Sequence, residues 1–191
     1  MNAMLTATPG QTVGPFFGYA LPFERGSELV PPGSPGSIRL HGVVTDGEGN
    51  PVPDALLEIW QADADGNVPN ATGALRRDGW TFTGWGRAAT DDEGHYSFST
   101  VLPGATNPGA APFIMVTIFA RGLLNRLFTR VYVPGDHLAK DALLASLPAD
   151  RRDTLVATGE PDGLRFDGLR FDIALQGPRE TVFLRYPGHR P

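Results

Sequence analysis

Short runs of alternating apolar and polar residues, separated by turn sequences, constrain the fold of this chain more than any other feature. Turns rich in Asp, Gly, Asn and Pro interrupt the runs, for example at residues 46–51 and 91–94. The strand candidates are residues 38–45, 55–62, 87–90, 96–100, 113–120, 127–133, 170–176 and 180–184. Short strands with frequent turns are typical of two sheets packed face to face. The pattern predicts a mainly β fold, a two-sheet β-sandwich, over residues 38–191.

Three segments of the predicted sandwich depart from simple alternation, and one of them, residues 113–120, is a strongly apolar strand. Residues 55–62 carry apolar side chains on both faces, with Leu56 and Trp60 on one of them, so we expect this strand to be buried on both sides. Residues 136–158 instead place Ala and Leu at helical spacing, and Pro148 interrupts the spacing. They predict a short helical insertion.

The first 37 residues form neither a strand pattern nor a helix pattern. Their prolines exclude a helix or a central strand, and they are Pro9, Pro15, Pro22, Pro31, Pro32 and Pro35. The same segment carries large apolar side chains that a solvated tail rarely has, namely Phe16, Phe17, Tyr19, Leu21 and Phe23. We therefore expect residues 1–37 to be a long irregular arm that packs on its own domain or on a partner subunit.

Composition excludes several classes of function. The chain has no cysteine, which rules out disulfides, thiolate metal sites and a cysteine nucleophile. Its net charge is -5 and its basic residues are scattered, so nucleic acid is not an expected partner. No apolar run approaches the ~20 residues of a membrane helix, and residues 1–11 do not resemble a signal peptide. These features predict a cytoplasmic protein that does not act at a membrane.

The residues by themselves reveal no catalytic apparatus. The histidines His41, His95, His137 and His189 are not paired at metal-ligand spacing, and we interpret them as surface or strand residues. Most carboxylates fall in turns, where Asp commonly caps its own backbone. Residues 63–67 resemble part of a calcium loop but lack its later Glu, so a plain turn is expected there. No nucleophile elbow or phosphate-binding loop is present.

Several motifs nevertheless resemble one known family. Residues 57–63 read Leu-Glu-Ile-Trp-Gln-Ala-Asp, residues 86–91 read Gly-Arg-Ala-Ala-Thr-Asp, and residues 94–104 contain Gly-His-Tyr-Ser-Phe and Leu-Pro-Gly. Together they resemble the intradiol ring-cleavage dioxygenases. Residues 8–16 and 119–122, with the segment from Arg170 to Phe183, resemble the α subunit of the two-subunit members of that family.

The resemblance implies that this chain binds no metal. Catalytic members of the family hold Fe(III) with two Tyr and two His, whereas the matching positions here are Thr106, Phe113 and Met115, and residues 76–83 contain no Tyr. Ferric iron prefers anionic oxygen and imidazole ligands, which Thr, Phe and Met do not provide. The resemblance therefore implies that Fe(III) is bound by a partner β subunit, and that the isolated α chain is inactive and has no catalytic residue of its own.

The same resemblance implies a substrate-binding role for the chain. In the family, the α arm reaches the iron site of the β subunit and one α arginine lies near the substrate, which maps to Thr12, Gly14, Pro15, Phe16 and Arg121. The family often has Tyr at the position of Phe16. The implied reaction is cleavage of protocatechuate with O2, between its two hydroxyls, to 3-carboxy-cis,cis-muconate. The anionic substrate suits an arginine, whose charge is permanent and whose donors form a planar fork.

Two other interpretations remain open from the sequence. The Gly-x-Val-x-Asp and Gly-x-Tyr-x-Phe patterns also occur in transthyretin-like sandwiches, which would make the chain a binding or structural module. A free-standing intradiol dioxygenase is the third possibility, and the absent Tyr and His ligands argue against it.

Overall fold

Nine strands form two sheets in the part of the chain that the computed structural model describes, which is residue 14 and residues 16–69, 77–162 and 165–186. The strands are β1 (Ser37–Thr45), β2 (Leu56–Gln61), β3 (Trp85–Ala89), β4 (His95–Val101), β5 (Phe113–Phe119), β6 (Leu127–Tyr132), β7 (Thr158–Asp162), β8 (Arg165–Arg170) and β9 (Ile173–Ala174). The first sheet has the order β4-β1-β8-β7, with β9 also pairing with β1, and the second has the order β3-β2-β5-β6. The predicted two-sheet β-sandwich is confirmed.

An apolar core fills the space between the sheets because alternate residues of each strand point inward. In β5, Ile114, Val116 and Ile118 are at most 1% exposed, while the residues between them are half-buried. Leu40 and Val44 of β1 contribute to the same core and are fully buried. Burying one such side chain is worth about 1.5–3 kcal/mol, so this core is the main source of stability.

The expectation that residues 55–62 are buried on both faces was wrong at Trp60, which is 53% exposed. Leu56 lies on the same outward face of β2 and is fully buried. The outward face of β2 is therefore covered at Leu56 and open at Trp60. Alternation alone does not show which part of a sheet face is covered.

The second half of the arm packs against its own domain. Leu29 is 3% exposed and joins the core, and the ring of Phe23 stacks on that of Trp85 at 5.8 Å. The backbone also links the two sheets, because Arg87 N donates to Gly26 O at 2.8 Å and Leu29 N donates to Ser99 O at 2.8 Å. The arm closes the side of the sandwich where β3 and β4 lie.

The first described part of the arm contains a single helical turn, α1 (Phe17–Ala20), which the proline pattern did not predict. A single turn fits in the sequence between Pro15 and Pro22 because its hydrogen bonds are donated by Tyr19 N, Ala20 N and Leu21 N, and none requires an N–H from a proline. Phe17 is buried, whereas Phe16 is 74% exposed and Tyr19 is 85% exposed. This part of the arm therefore leaves large aromatic surfaces uncovered.

The predicted helical insertion is confirmed. It consists of 3-10 turns at Asp136–Lys140 and Asp153–Leu155 and two short helices, α2 (Ala142–Ala145) and α3 (Ala149–Arg152). Asp141 caps α2 by accepting hydrogen bonds from Leu143 N at 3.0 Å and Leu144 N at 3.1 Å. Pro148 stands directly before α3, as expected from its place in the pattern. No helix in the described ranges is long and apolar enough to cross a membrane.

The two strands predicted at residues 170–176 and 180–184 are only partly present. Residues 180–184 are not a strand, and β9 has only two residues. Thr181 alone binds both backbone groups of Ala174, so no strand ladder forms here. Its N donates to Ala174 O at 2.9 Å, and its hydroxyl accepts from Ala174 N at 3.1 Å. Leu184 N then donates to Phe128 O at 2.7 Å, so the chain has crossed from the first sheet to the second.

Candidate functional site

Arg121 lies two residues beyond the last residue of β5, and its environment follows from strand register. In the antiparallel pair of β2 and β5, Leu56 is opposite Phe119. The same register, continued past the end of the ladder, sets Asp54 opposite Arg121, and Arg121 Nη2 forms a salt bridge with Asp54 Oδ2. The Arg121 side chain is 62% exposed and that of Asp54 is 26% exposed. The guanidinium is thus anchored at one corner and otherwise open to solvent.

The chain turns away immediately after Arg121. Gly122 has a φ of 85°, in the left-handed region that glycine adopts without strain. The sharp exit leaves the Arg121 side chain at the rim of the second sheet. A strand end of this kind holds the Cα in place while the side chain points outward.

The arm approaches the same ion pair through α1. A Cβ added to Gly18 would lie 3.3 Å from Asp54 Cβ, so the helical turn packs directly over this aspartate. Phe17 N donates to Gly14 O at 3.2 Å, which places Gly14 at the start of the same turn. The structure therefore brings Gly14, Phe16 and Arg121 to one end of the sandwich, connected through Asp54.

The other predicted site residues, Thr12 and Pro15, lie outside the described residues. Of those described, Gly14 has open space beside it, since a Cβ there would meet no atom of the described residues within 4 Å. Asp54 was missed by the sequence reasoning, which treated most carboxylates as turn residues. The available signal was its position before β2, because pairing of the apolar strands at 55–62 and 113–120 sets it opposite Arg121.

Phe113 and Met115, at two of the positions where the family has iron ligands, lie on the outward face of the second sheet. The Arg130 guanidinium carbon is 4.0 Å from the centroid of the Phe113 ring, and Tyr186 Oη is 3.6 Å from Met115 Sδ. Thr106 is an exposed loop residue. A permanent cation, a phenyl ring and a thioether do not form a site for ferric iron, which prefers anionic oxygen and imidazole.

Tyr132 lies beside these positions but is not suited to act as a phenolate. Its ring is 5.8 Å from that of Phe113, and its hydroxyl interacts with Arg130 Nη1 at 3.0 Å and Asp141 Oδ1 at 3.1 Å. Burial raises the pKa of Tyr132, although Arg130 offsets part of this rise, so the phenol stays protonated at neutral pH. Within the described ranges, no group of three or more His, Cys, Asp or Glu residues is placed to hold a metal.

Turn carboxylates behave as expected from the sequence. Asp46 accepts from Asn50 N at 2.9 Å, and Asp63 accepts from Asn67 N at 2.8 Å. The hydrogen bonds from Asn50, its side-chain amide above all, lower the pKa of Asp46, and the backbone hydrogen bond from Asn67 lowers the pKa of Asp63. Carboxylates held ionised in this way stabilise their own turns and are poor general bases.

A groove of about 1070 Å³ lies on the first sheet, away from the predicted site. Its walls include Arg151 and Arg179, while Arg170 at its edge is bound to Asp172 at 3.0 Å. None of the predicted substrate-binding residues that the structure describes lines it. We therefore place the candidate site at Arg121 and the arm.

Comparison with known proteins gives consistent matches over most of the chain. A family model described as dioxygenase matches residues 13–177. The chain is 40% identical over 193 residues to the protocatechuate 3,4-dioxygenase alpha chain of Burkholderia cepacia, covering 94% of this chain and 97% of that one. It is 36% identical over 165 residues to the beta chain from the same organism, covering 78% of this chain and 68% of that one.

A solved structure is also similar. It is the dioxygenase domain of a dioxygenase carbohydrate-binding protein fusion from Streptomyces sp. SirexAA-E, with a TM-score of 0.61 and 28% identity. The match covers 90% of this chain and 99% of that chain. The two-sheet arrangement described above is thus shared with a known dioxygenase domain across nearly its whole length.

Proposed function

Because the chain belongs to the intradiol dioxygenase family, we propose that it is the non-metal-binding α subunit of a protocatechuate 3,4-dioxygenase. The observation that carries the proposal is twofold. The chain is 40% identical to an alpha chain over almost the full length of both, and it has Phe113 and Met115 beside a guanidinium at the positions of the family's histidine ligands. In this proposal, the partner is the β subunit of the same enzyme, and β holds Fe(III), which activates the catechol for reaction with O2.

The chain contributes part of the wall of the substrate pocket. Protocatechuate is an anion, and Arg121 offers it an open guanidinium at the rim of the second sheet. Thr12, Gly14, Pro15 and Phe16 of the arm form the adjoining wall. At Gly14 the absence of a side chain allows close approach of the ring, and the space around it supports this role.

The assembled enzyme inserts both atoms of O2 into protocatechuate, opens the ring between the two hydroxyls and releases 3-carboxy-cis,cis-muconate. In this proposal, the chain acts in the cytoplasm as one subunit of a hetero-oligomer. Membership of the dioxygenase family disfavours the alternative of a transthyretin-like module without an enzymatic role.

We expect the isolated chain to contain no stoichiometric iron. The physical reason is the absence of phenolate and imidazole at Thr106, Phe113 and Met115, together with the positive charge of Arg130. The measurement is metal analysis of the purified chain with its visible absorption spectrum, and the matched control is the co-expressed αβ complex prepared in the same way. One ferric ion per isolated chain, with a tyrosinate-to-iron band, would contradict the proposal.

We expect the chain to assemble with a β subunit through its exposed aromatic residues. Phe16, Tyr19 and Trp80 are 74%, 85% and 94% exposed, and aromatic surface of this kind commonly anchors a partner. The double substitution Phe16→Ser and Tyr19→Ser should weaken association about tenfold, whereas Arg179→Ser on the first sheet should not. Light scattering of the co-expressed chains gives the size. A stable monomer that does not bind an intact β subunit would contradict the predicted hetero-oligomer.

A further inference from the structure

Resting on the proposed role of Arg121, we infer that Asp54 is the positioning residue that orients the Arg121 guanidinium toward the substrate carboxylate. The aspartate also connects this cation to the arm. Its contacts, its backbone conformation and its burial each support this role.

The contact geometry makes Asp54 the fixed partner and Arg121 the mobile one. Asp54 Oδ2 accepts from Arg121 Nη2, and the Asp54 side chain is much less exposed than that of Arg121. Asp54 Oδ1 is buried and has no hydrogen-bond partner among the described residues. A half-buried carboxylate whose second oxygen lacks a hydrogen bond gains more from its ion pair with Arg121 than a fully exposed carboxylate would.

The turn that carries Asp54 is held rigidly. Thr90, which is 8% exposed, accepts through its hydroxyl from Ala55 N at 2.9 Å and donates to Val52 O at 2.8 Å. These two bonds bracket Asp54 on either side. Gly18 of α1 packs against its Cβ from above. A carboxylate mounted in this way keeps its position when the long arginine side chain moves.

The backbone of Asp54 has a φ of 59°, in the left-handed region that few residues other than glycine adopt. Asp tolerates this conformation better than most, and such conformations persist where the surrounding structure enforces them. The chain keeps a less favourable backbone here and thereby places a carboxylate opposite Arg121.

The expected consequence of losing Asp54 concerns substrate binding more than turnover. A free arginine side chain has many rotamers, and ordering it on binding has an entropic cost that Asp54 removes in advance. If Asp54 only neutralised Arg121, it would compete with the substrate carboxylate, and its removal would lower KM instead of raising it. The direction of the change in KM therefore separates the two roles.

The test uses Asp54→Gly and Asp54→Asn in the assembled αβ complex, because Gly and Asn both tolerate a positive φ and so leave the backbone intact. We expect KM for protocatechuate to rise about 5- to 10-fold in Asp54→Gly and about 3-fold in Asp54→Asn, with kcat within about 2-fold. Competitive inhibition by catechol, which lacks the carboxylate, should change less than about 2-fold. An equal loss for catechol, or a lower KM for protocatechuate, would overturn the inference.

A double-mutant cycle links the effect to Arg121. In the Arg121→Ala background, adding Asp54→Gly should raise KM no further, since the residue being positioned is gone. Asp172→Asn is the matched control, because it removes another exposed ion pair, that of Arg170 and Asp172, on the first sheet. This control should leave KM unchanged.

The outcomes separate the inference from the proposed function. A large effect of Arg121→Ala, with an Asp54→Gly effect that is absent or fully additive, overturns the positioning role and leaves Arg121 as a pocket residue. No effect of Arg121→Ala overturns the pocket role of Arg121 and, with it, the role of Asp54.

Discussion

Replacing Arg121 by Ala should lower kcat/KM of the αβ complex for protocatechuate by roughly 30- to 900-fold, which corresponds to a loss of about 2 to 4 kcal/mol of transition-state stabilisation. Two effects contribute to this loss. The substrate carboxylate loses a charged hydrogen-bond partner, which raises KM, and charge that develops during oxygen attack is less stabilised, which lowers kcat. Arg121→Lys should recover only part of the loss, because an ammonium keeps the charge but not the planar fork.

The measurement is steady-state kinetics of each variant, with iron content and complex size determined on the same samples. Iron content should be unchanged, since the substitution touches no metal ligand. Arg126→Ala is the matched control, because Arg126 follows on the same loop, is exposed, and lies over the ring of Phe128, with its guanidinium carbon 5.1 Å from the ring centroid. Near-normal turnover of an intact Arg121→Ala complex would leave Arg121 as a surface charge.

Replacing Gly42 by Ala should destabilise the fold by roughly 3 kcal/mol. A Cβ at this position would lie 1.9 Å from Phe171 O and 2.6 Å from Phe171 C, and both atoms belong to the backbone. The close approach is part of the first sheet, where β1 pairs with β8 up to Arg170 and with β9 from Ile173 onward. Between the two strands, the chain passes directly over Gly42.

The same crossing is held by side chains, which makes it sensitive to substitution. Tyr96, opposite Gly42 in β4, donates its hydroxyl to Phe171 O at 2.5 Å, and Val43 N donates to Asp172 Oδ1 at 3.1 Å. Burial raises the pKa of Tyr96, which keeps the hydroxyl protonated as a donor. An added methyl group at residue 42 would push Phe171 away from this donor and from the core.

Urea unfolding of the purified chain tests this prediction. Gly14→Ala is the matched control, since its added Cβ would meet no atom of the described residues within 4 Å, and it should change the free energy of unfolding by less than about 0.5 kcal/mol. Tyr96→Phe should cost about 1 to 3 kcal/mol, because Phe171 O would lose a buried partner. A Gly42→Ala variant as stable as the native chain would show that the crossing can shift at little cost.

The sequence was sufficient for the class of fold and for much of the strand arrangement. Alternation predicted the strands at 38–45 and 127–133, and the structure has strands there because one buried face per strand leaves a period of two in the sequence. The strongly apolar run at 113–120 predicted a third strand, which the structure also has. The sequence was not sufficient for residues 180–184. Their apolar residues suit a strand, but Thr181 satisfies Ala174 with its own hydroxyl and the chain moves to the second sheet.

The family resemblance assigned Phe113 and Met115 to the positions of iron ligands, and neither side chain provides phenolate or imidazole wherever the fold places it. The sequence did not show which groups surround Phe113 and Met115. Arg130 lies over Phe113 because it is opposite Met115 on the neighbouring strand, two residues along from Phe113 and on the same outward face. The pairing register of β5 and β6 is a property of the folded sheet.

The candidate site shows most clearly what each level determined. Composition, alternation and family motifs determined that the chain is a β-sandwich of the dioxygenase family and that Arg121 ends an apolar strand. Only the tertiary structure decided that Asp54 anchors Arg121 and that Gly18 of the arm packs on Asp54. The physical reason is that local patterns record the periodicity and burial of single elements. A contact between residues 67 positions apart depends instead on how strands pair and where the arm returns.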